Sequence, residues 1–204
     1  MQTSPAERTD MKNIAHSFEH IYQVIATPGF LEMNTLGGEI PFFIASYEAK
    51  QQTAVDKAVK GLKNKLMNQG IPVLEINLYD LVMEIVDREL SQQELFDMET
   101  QMDKEEFKEA LQSLLDINQV LIPAIRQMIE SQRASIYFLT GIGLVFPFIR
   151  SHNVLNNLQN VAKDAPTLTF FPGQYNGFSL ELFGLLTDDN YYRAFKIDDY
   201  TTTA

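Results

Sequence analysis

Two apolar runs that each end in a glycine-containing turn constrain this chain most. Ile136-Tyr137-Phe138-Leu139-Thr140 passes into Gly141-Ile142-Gly143 and then into helix-like sequence ending near Asn156-Asn157. Thr167-Leu168-Thr169-Phe170-Phe171 follows, closed by Pro172-Gly173-Gln174-Tyr175-Asn176-Gly177. Unbroken apolar strands are buried on both faces, which requires helices above and below the sheet. The carboxyl-end loops of such a sheet form a crevice. The expected fold is therefore α/β, in three layers, with a mostly parallel sheet of about five strands.

The remaining elements fit that frame. Residues 11–26 predict an amphipathic helix, with Ile14, Phe18, Ile21 and Ile25 on one stripe and Thr27-Pro28-Gly29 as its stop. Glu39–Ala45 predicts the first strand, Val55, Val59, Leu62 and Leu66 a helix ended by Gly70, and Val73–Asn77 a second strand. The length of that crossover predicts parallel pairing of these two strands. Residues 78–131 are helical in pattern and form an insertion, with Phe107, Leu111, Leu114 and Leu115 on one face. Asn190–Ile197 predicts a fifth strand, and 198–204 is a polar tail. The whole chain, residues 1–204, is expected to be one domain, since no Ser/Gly/Pro linker divides it.

Composition removes several chemistries. There is no cysteine, so disulfides, zinc–thiolate sites and cysteine nucleophiles are excluded. A formal net charge of -11 argues against direct, phosphate-driven nucleic-acid binding by the isolated chain. Lys57, Lys60, Lys63 and Lys65 on one predicted helix are read as a solvated face. The amino terminus lacks an apolar core segment and no uncharged run reaches bilayer length, which predicts a cytoplasmic protein with neither signal peptide nor membrane span.

No constellation carries a reaction clearly. Thr140, Gly141 and Gly143 invite phosphate binding, but the turn has no Gly-Lys-Ser/Thr ending and no lysine, and Phe146 stands where a third glycine would. Glycines that only permit a tight turn are the competing reading. Arg150, His152, Asn153, Asn156 and Asn157 form an amide-rich segment suited to directional hydrogen bonds with a partner, or to caps and turns. Gln174, Tyr175 and Asn176 should share that end of the sheet. His16 and His20 are four apart but lack a third metal ligand, and Asp188-Asp189 and Asp198-Asp199 read as turn acids. Glu39, Asp80 and Asp188 are the carboxylates that a divergent nuclease would need. No cofactor or metal is expected.

Several blocks resemble one family when taken in order. They are Phe30-Leu31, Leu36-Gly37-Gly38-Glu39-Ile40-Pro41-Phe42-Phe43-Ile44, Val73 to Leu81, Phe138 to Gly143, Arg150-Ser151-His152, Leu155-Asn156-Asn157-Leu158, Phe171 to Gly177, and Asp188 to Phe195. From about residue 30 to residue 197 this pattern is similar to BrxB, the small component of BREX bacteriophage-exclusion systems. Phe178 departs from it, standing where the family pattern has a polar residue. The resemblance implies a bacterial defence protein acting beside a methyltransferase, a large ATPase and the alkaline-phosphatase-like PglZ, and it brings no catalytic residues with it. The expected role is a non-catalytic adaptor, with PglZ as the foremost partner among the BREX proteins. The candidate binding residues are Thr140, Gly141, Gly143, Arg150, His152, Asn156, Asn157, Gly173, Tyr175, Asn190 and Arg193. The alternative is a nucleotide or small-molecule sensor at the same crevice.

Overall fold

The computed structural model of the chain describes residues 5–33, 41–187 and 193–200, with side chains from residue 11 onward. Helix α1 (Pro5–Ile25) begins earlier than its apolar stripe and is followed by the short α2 (Pro28–Leu31). Strand β1 (Phe42–Tyr47) leads through a 3-10 turn into α3 (Gln52–Asn68) and then β2 (Val73–Asn77). The helical insertion comprises α4 (Leu78–Glu89), α5 (Gln92–Gln101), α6 (Lys104–Leu114), a π-helical turn at Ile117–Leu121 and α7 (Ile122–Ser131). Strand β3 (Ile136–Thr140), a 3-10 turn at Ile142–Val145 and α8 (Ser151–Leu158) follow. The chain closes with β4 (Thr167–Tyr175), β5 (Leu180–Leu182), β6 (Leu186–Thr187) and β7 (Phe195–Lys196).

The parallel part of the sheet runs β2-β3-β4-β1-β7, and β5 and β6 extend β4 as an antiparallel hairpin sheet. This is the expected three-layer α/β arrangement, with seven strands where about five were expected. Alternation along each strand divides the core. Phe43, Phe138, Leu168 and Phe170 face α1 and α3, whereas Phe42, Ile76, Leu139 and Phe171 face α4, α7 and α8.

Three expectations are corrected. β1 and β2 are parallel but not paired, because β4 and β3 lie between them. All five residues of β3 and the first six of β4 are buried, so these strands take the sheet's interior, while β2 carries the partly exposed Glu75 and Asn77 and accepts an outer position. The Pro172–Tyr175 segment is strand, not loop: Gly173 pairs with Leu182, and a Cβ there would stand 2.0 Å from the Glu181 carbonyl oxygen. Only glycine lets the two backbones approach so closely. The fifth expected strand is reduced to Phe195–Lys196, with residues 190–192 outside the described residues.

Candidate functional site

The carboxyl ends of β2 and β3 open on a polar cleft of about 450 Å³. Its floor is built by side chains that alternate toward α3. Thr140, buried, donates through Oγ1 to Glu75 Oε1 at 3.3 Å, and Lys63 Nζ of α3 meets Glu75 Oε2 at 3.1 Å. Lys60, one turn earlier on α3, lines the same cleft with Asp56, Asn77, Asp80, Gly141 and Leu144. Asn77 ends β2 and starts α4 at once, its Oδ1 accepting from the Tyr79 and Asp80 amides at 3.1 and 3.4 Å. Gly141 is left-handed at φ 75°, and a Cβ on it would lie 2.4 Å from Asn77 Oδ1. The turn therefore needs glycine for its conformation and for its contact with the capped start of α4.

The two glycine segments do meet. A Cβ on Gly143 would stand 2.8 Å from the Pro172 ring and 2.9 Å from the Phe183 ring, so the turn after β3 lies against the start of the β4–β5 hairpin. Around this junction the surface is apolar. Leu144, Phe146, Phe183, Leu185 and Leu186 are all exposed, Leu185 at 80%, and the Phe146 and Phe183 rings meet edge to face at 6.3 Å. Tyr175, buried, donates its hydroxyl to the Ala194 carbonyl at 2.9 Å and so ties the hairpin to the approach to β7.

The amide-rich segment lies elsewhere. Arg150, Asn153 and Asn157 line a second cleft of about 440 Å³ together with Gln112 of α6 and with Asp116 and Asn118 at the start of the π-helical turn. Asn157 donates to the Asn153 carbonyl, while Asn156 is exposed on α8 outside the cleft lining and His152 is half-buried in the first turn of α8. Arg193 is exposed, and its carbonyl accepts from Gln159 of the residues after α8. Thus Thr140 and Gly141 belong to one cleft, Gly143 and Gly173 to the apolar junction, and Arg150 and Asn157 to the other cleft. Asn190 lies outside the described residues, as do Glu39 and Asp188.

Two groups escape a reading from sequence. Lys60 and Lys63 supply the cationic groups that the glycine turn itself lacks, although Lys63 is neutralised by Glu75. Steps of four from Asp56 to Lys60 and of three from Lys60 to Lys63 mark a single polar helix face, the one available signal. Lys65 is likewise engaged, with Glu19 at 2.9 Å and 3.4 Å above the Tyr22 ring, so half of the lysine run is paired rather than simply solvated. Among the described residues, no group of three or more His, Asp or Glu side chains is placed to hold a metal ion, and His16 is exposed on α1.

Comparison with known proteins supplies the rest. The family model described as "BREX protein BrxB" matches residues 74–197. A "BREX protein BrxB" of Bacillus cereus (strain H3081.97) is 35% identical over 193 residues, covering 93% of this chain and 100% of that protein. The chain belongs to the BrxB family. A second relative with the same name, from Escherichia coli O9:H4 (strain HS), is 27% identical over 168 residues, covering 82% of this chain and 83% of its own length. No solved structure matches the chain. Membership makes this BrxB-family protein a BREX component, and it agrees with the resemblance carried by the sequence blocks. Among the described residues no helix is long and apolar enough to cross a membrane.

Proposed function

We propose that this chain is a non-catalytic assembly or adaptor subunit of a BREX antiphage-defence complex in the cytoplasm, engaging another BREX protein, PglZ foremost. The observation that carries the reading is the apolar junction formed by Leu144, Phe146, Phe183, Leu185 and Leu186. Contiguous exposed apolar residues mark interaction surfaces in proteins of this size, and aromatic residues are enriched at such interfaces. The junction is also shaped by glycines that tolerate no side chain, so its form is fixed before a partner arrives.

Tagged protein co-purified with the other BREX components tests this reading. Leu185→Glu sits at the most exposed apolar position and should abolish co-purification with PglZ while the melting temperature stays put. Arg150→Glu and Arg193→Glu, made separately, extend the test to the amide-lined cleft and to the approach to β7. Retention of every partner by all three variants would remove the sheet's carboxyl end from the interface.

The polar cleft beside Thr140 favours a second reading, a sensor for a nucleotide or small polar molecule, because Lys60 brings a cation to a left-handed glycine turn. Titration calorimetry with common nucleotides decides it. Submicromolar binding that Lys60→Ala weakens would replace the adaptor reading, and the absence of heat would dispose of the sensor.

A further inference from the structure

The chain's charge is unevenly placed. Residues 78–116, covering α4, α5, α6 and the start of the π-helical turn, hold twelve Asp and Glu against three Lys and Arg, a net of -9 out of the chain's -11. Helix α3, on the opposite face of the sheet, is net positive, with Lys57, Lys60, Lys63 and Lys65 against Asp56. Net charge alone does not make a binding site. An apolar notch set within the acidic region does supply a place for one.

That notch, about 350 Å³, opens at the elbow between α5 and α6. Met102, Phe107, Pro147 and Phe148 form its apolar lining, with the Phe107 and Phe148 rings edge to face at 6.3 Å. Glu99 and Asp103 stand at its rim. Asp103 is spent in part on capping α6, accepting from the Glu105 and Glu106 amides, whereas Glu99 makes no ion pair with any described residue. Lys108 also borders the notch but is neutralised by Glu105, leaving Lys104 as the one rim cation without a described ion pair. Helix α5 has no buried residue, Leu95 alone of its side chains being packed against the core among the described residues, and Phe96 projects from it 56% exposed, so the elbow leaves apolar surface open to solvent.

We infer that the α5–α6 notch docks an arginine- or lysine-bearing segment of a partner protein. The aliphatic stem of such a side chain covers the Met102, Phe107 and Phe148 lining, and its charged head reaches Glu99 at the rim. The surrounding charge of -9 steers a basic surface toward it and disfavours an acidic one. Pro147 joins this notch to Phe146 of the apolar junction, so one partner can cover both. The inference rests on the adaptor reading and names the chemistry of the surface that docks.

The probe is a fluorescein-labelled nonapeptide of alternating arginine and alanine, titrated against the full chain at low and at physiological salt. Binding should weaken steeply with salt, and a glutamate–alanine peptide should not bind. Glu99→Lys should weaken the arginine peptide at least tenfold, while Glu84→Lys, the same charge change on exposed α4 outside the notch, should change it less than twofold. Met102→Ser, at a solvent-reachable position that leaves the core intact, should weaken it about fivefold. Equal losses from Glu99→Lys and Glu84→Lys would reduce the effect to diffuse attraction and overturn the notch. So would self-association of the chain that disappears in Lys57→Glu/Lys60→Glu, because the occupant would then be α3 of a second copy. If peptide binding fails while PglZ still co-purifies, the inference falls alone; if the peptide binds and no BREX protein co-purifies, the adaptor reading falls.

Discussion

The two faces of the sheet are held by different means. Against α1 and α3 lies an aromatic core: Phe30, Phe43, Phe138 and Phe170 are buried, Phe138 meets Phe170 edge to face at 5.3 Å, and Phe18 stacks on Phe170. On the other face, α4, α5, α6 and the π-helical turn each begin with a side-chain cap, from Asn77, Ser91, Asp103 and Asp116. Both faces bury apolar surface, but the second also carries α5 and α6, which contribute a single buried residue, Leu111, between them. One face is thus stabilised by burial, and the acidic elbow of the other by local hydrogen bonds that leave its surface open. A surface free for docking has to come from that second kind.

The largest expected effect tests this contrast directly. Phe138→Ala removes a fully buried ring from the aromatic core and should cost about 3–5 kcal/mol. Phe107→Ala in α6, where the ring is half-buried against Phe148, should cost about 1 kcal/mol. Urea unfolding of both variants measures the difference. Equal losses would show that the α5–α6 elbow belongs to the same cooperative core as the sheet.

Gly141→Ala should come next, at about 2–3 kcal/mol, because it adds left-handed strain to an overlap with Asn77 Oδ1. Here the two faces communicate, since Gly141 directly follows β3 while the side chain it abuts caps α4. The expected signature is a lower unfolding midpoint together with faster amide exchange at Tyr79 and Asp80. A change at neither amide would separate the turn from the cap.

How much of this was legible in the sequence follows from the range of the forces involved. The spans of β2 and β3, the helical insertion and the stripe Val55–Val59–Leu62–Leu66 were readable because local periodicity encodes burial. Strand order was not, because the placing of β3 and β4 between β2 and β1 is decided by burial across the whole sheet. Pro172 and Gly173 read as a turn since those residues usually break strands; the antiparallel neighbour β5 overrides that tendency. A shared crevice at the sheet's carboxyl end brings Gly143 against Pro172 at the head of the second glycine segment, yet the clefts divide the candidate residues: Lys60 and Glu75 join Thr140 from elements remote in sequence, and Arg150 and Asn157 face the π-helical turn instead.

The smallest effect is the most specific to the acidic elbow. In α5 the Ser91 hydroxyl and amide donate to the Glu94 carboxylate at 2.7 and 2.8 Å, while the Glu94 amide donates back to Ser91 Oγ at 3.3 Å. These bonds, the hydroxyl's first, hold the Glu94 carboxyl below its ordinary 4.5. A carboxyl depressed in the folded state stabilises that state above its unfolded pKa, and the contribution fades as pH falls through the folded value. Ser91→Ala should therefore lower the local protection of α5 at neutral pH, and lower it less once Glu94 is protonated in both proteins. Because α5 buries no residue, the loss should appear in amide exchange of residues 92–101 and leave the global melting temperature nearly fixed. A pH-independent penalty would trace the effect to the bond from the Glu94 amide to Ser91 Oγ alone, and a matching fall in global stability would mean that the elbow is welded to the core and is no open surface.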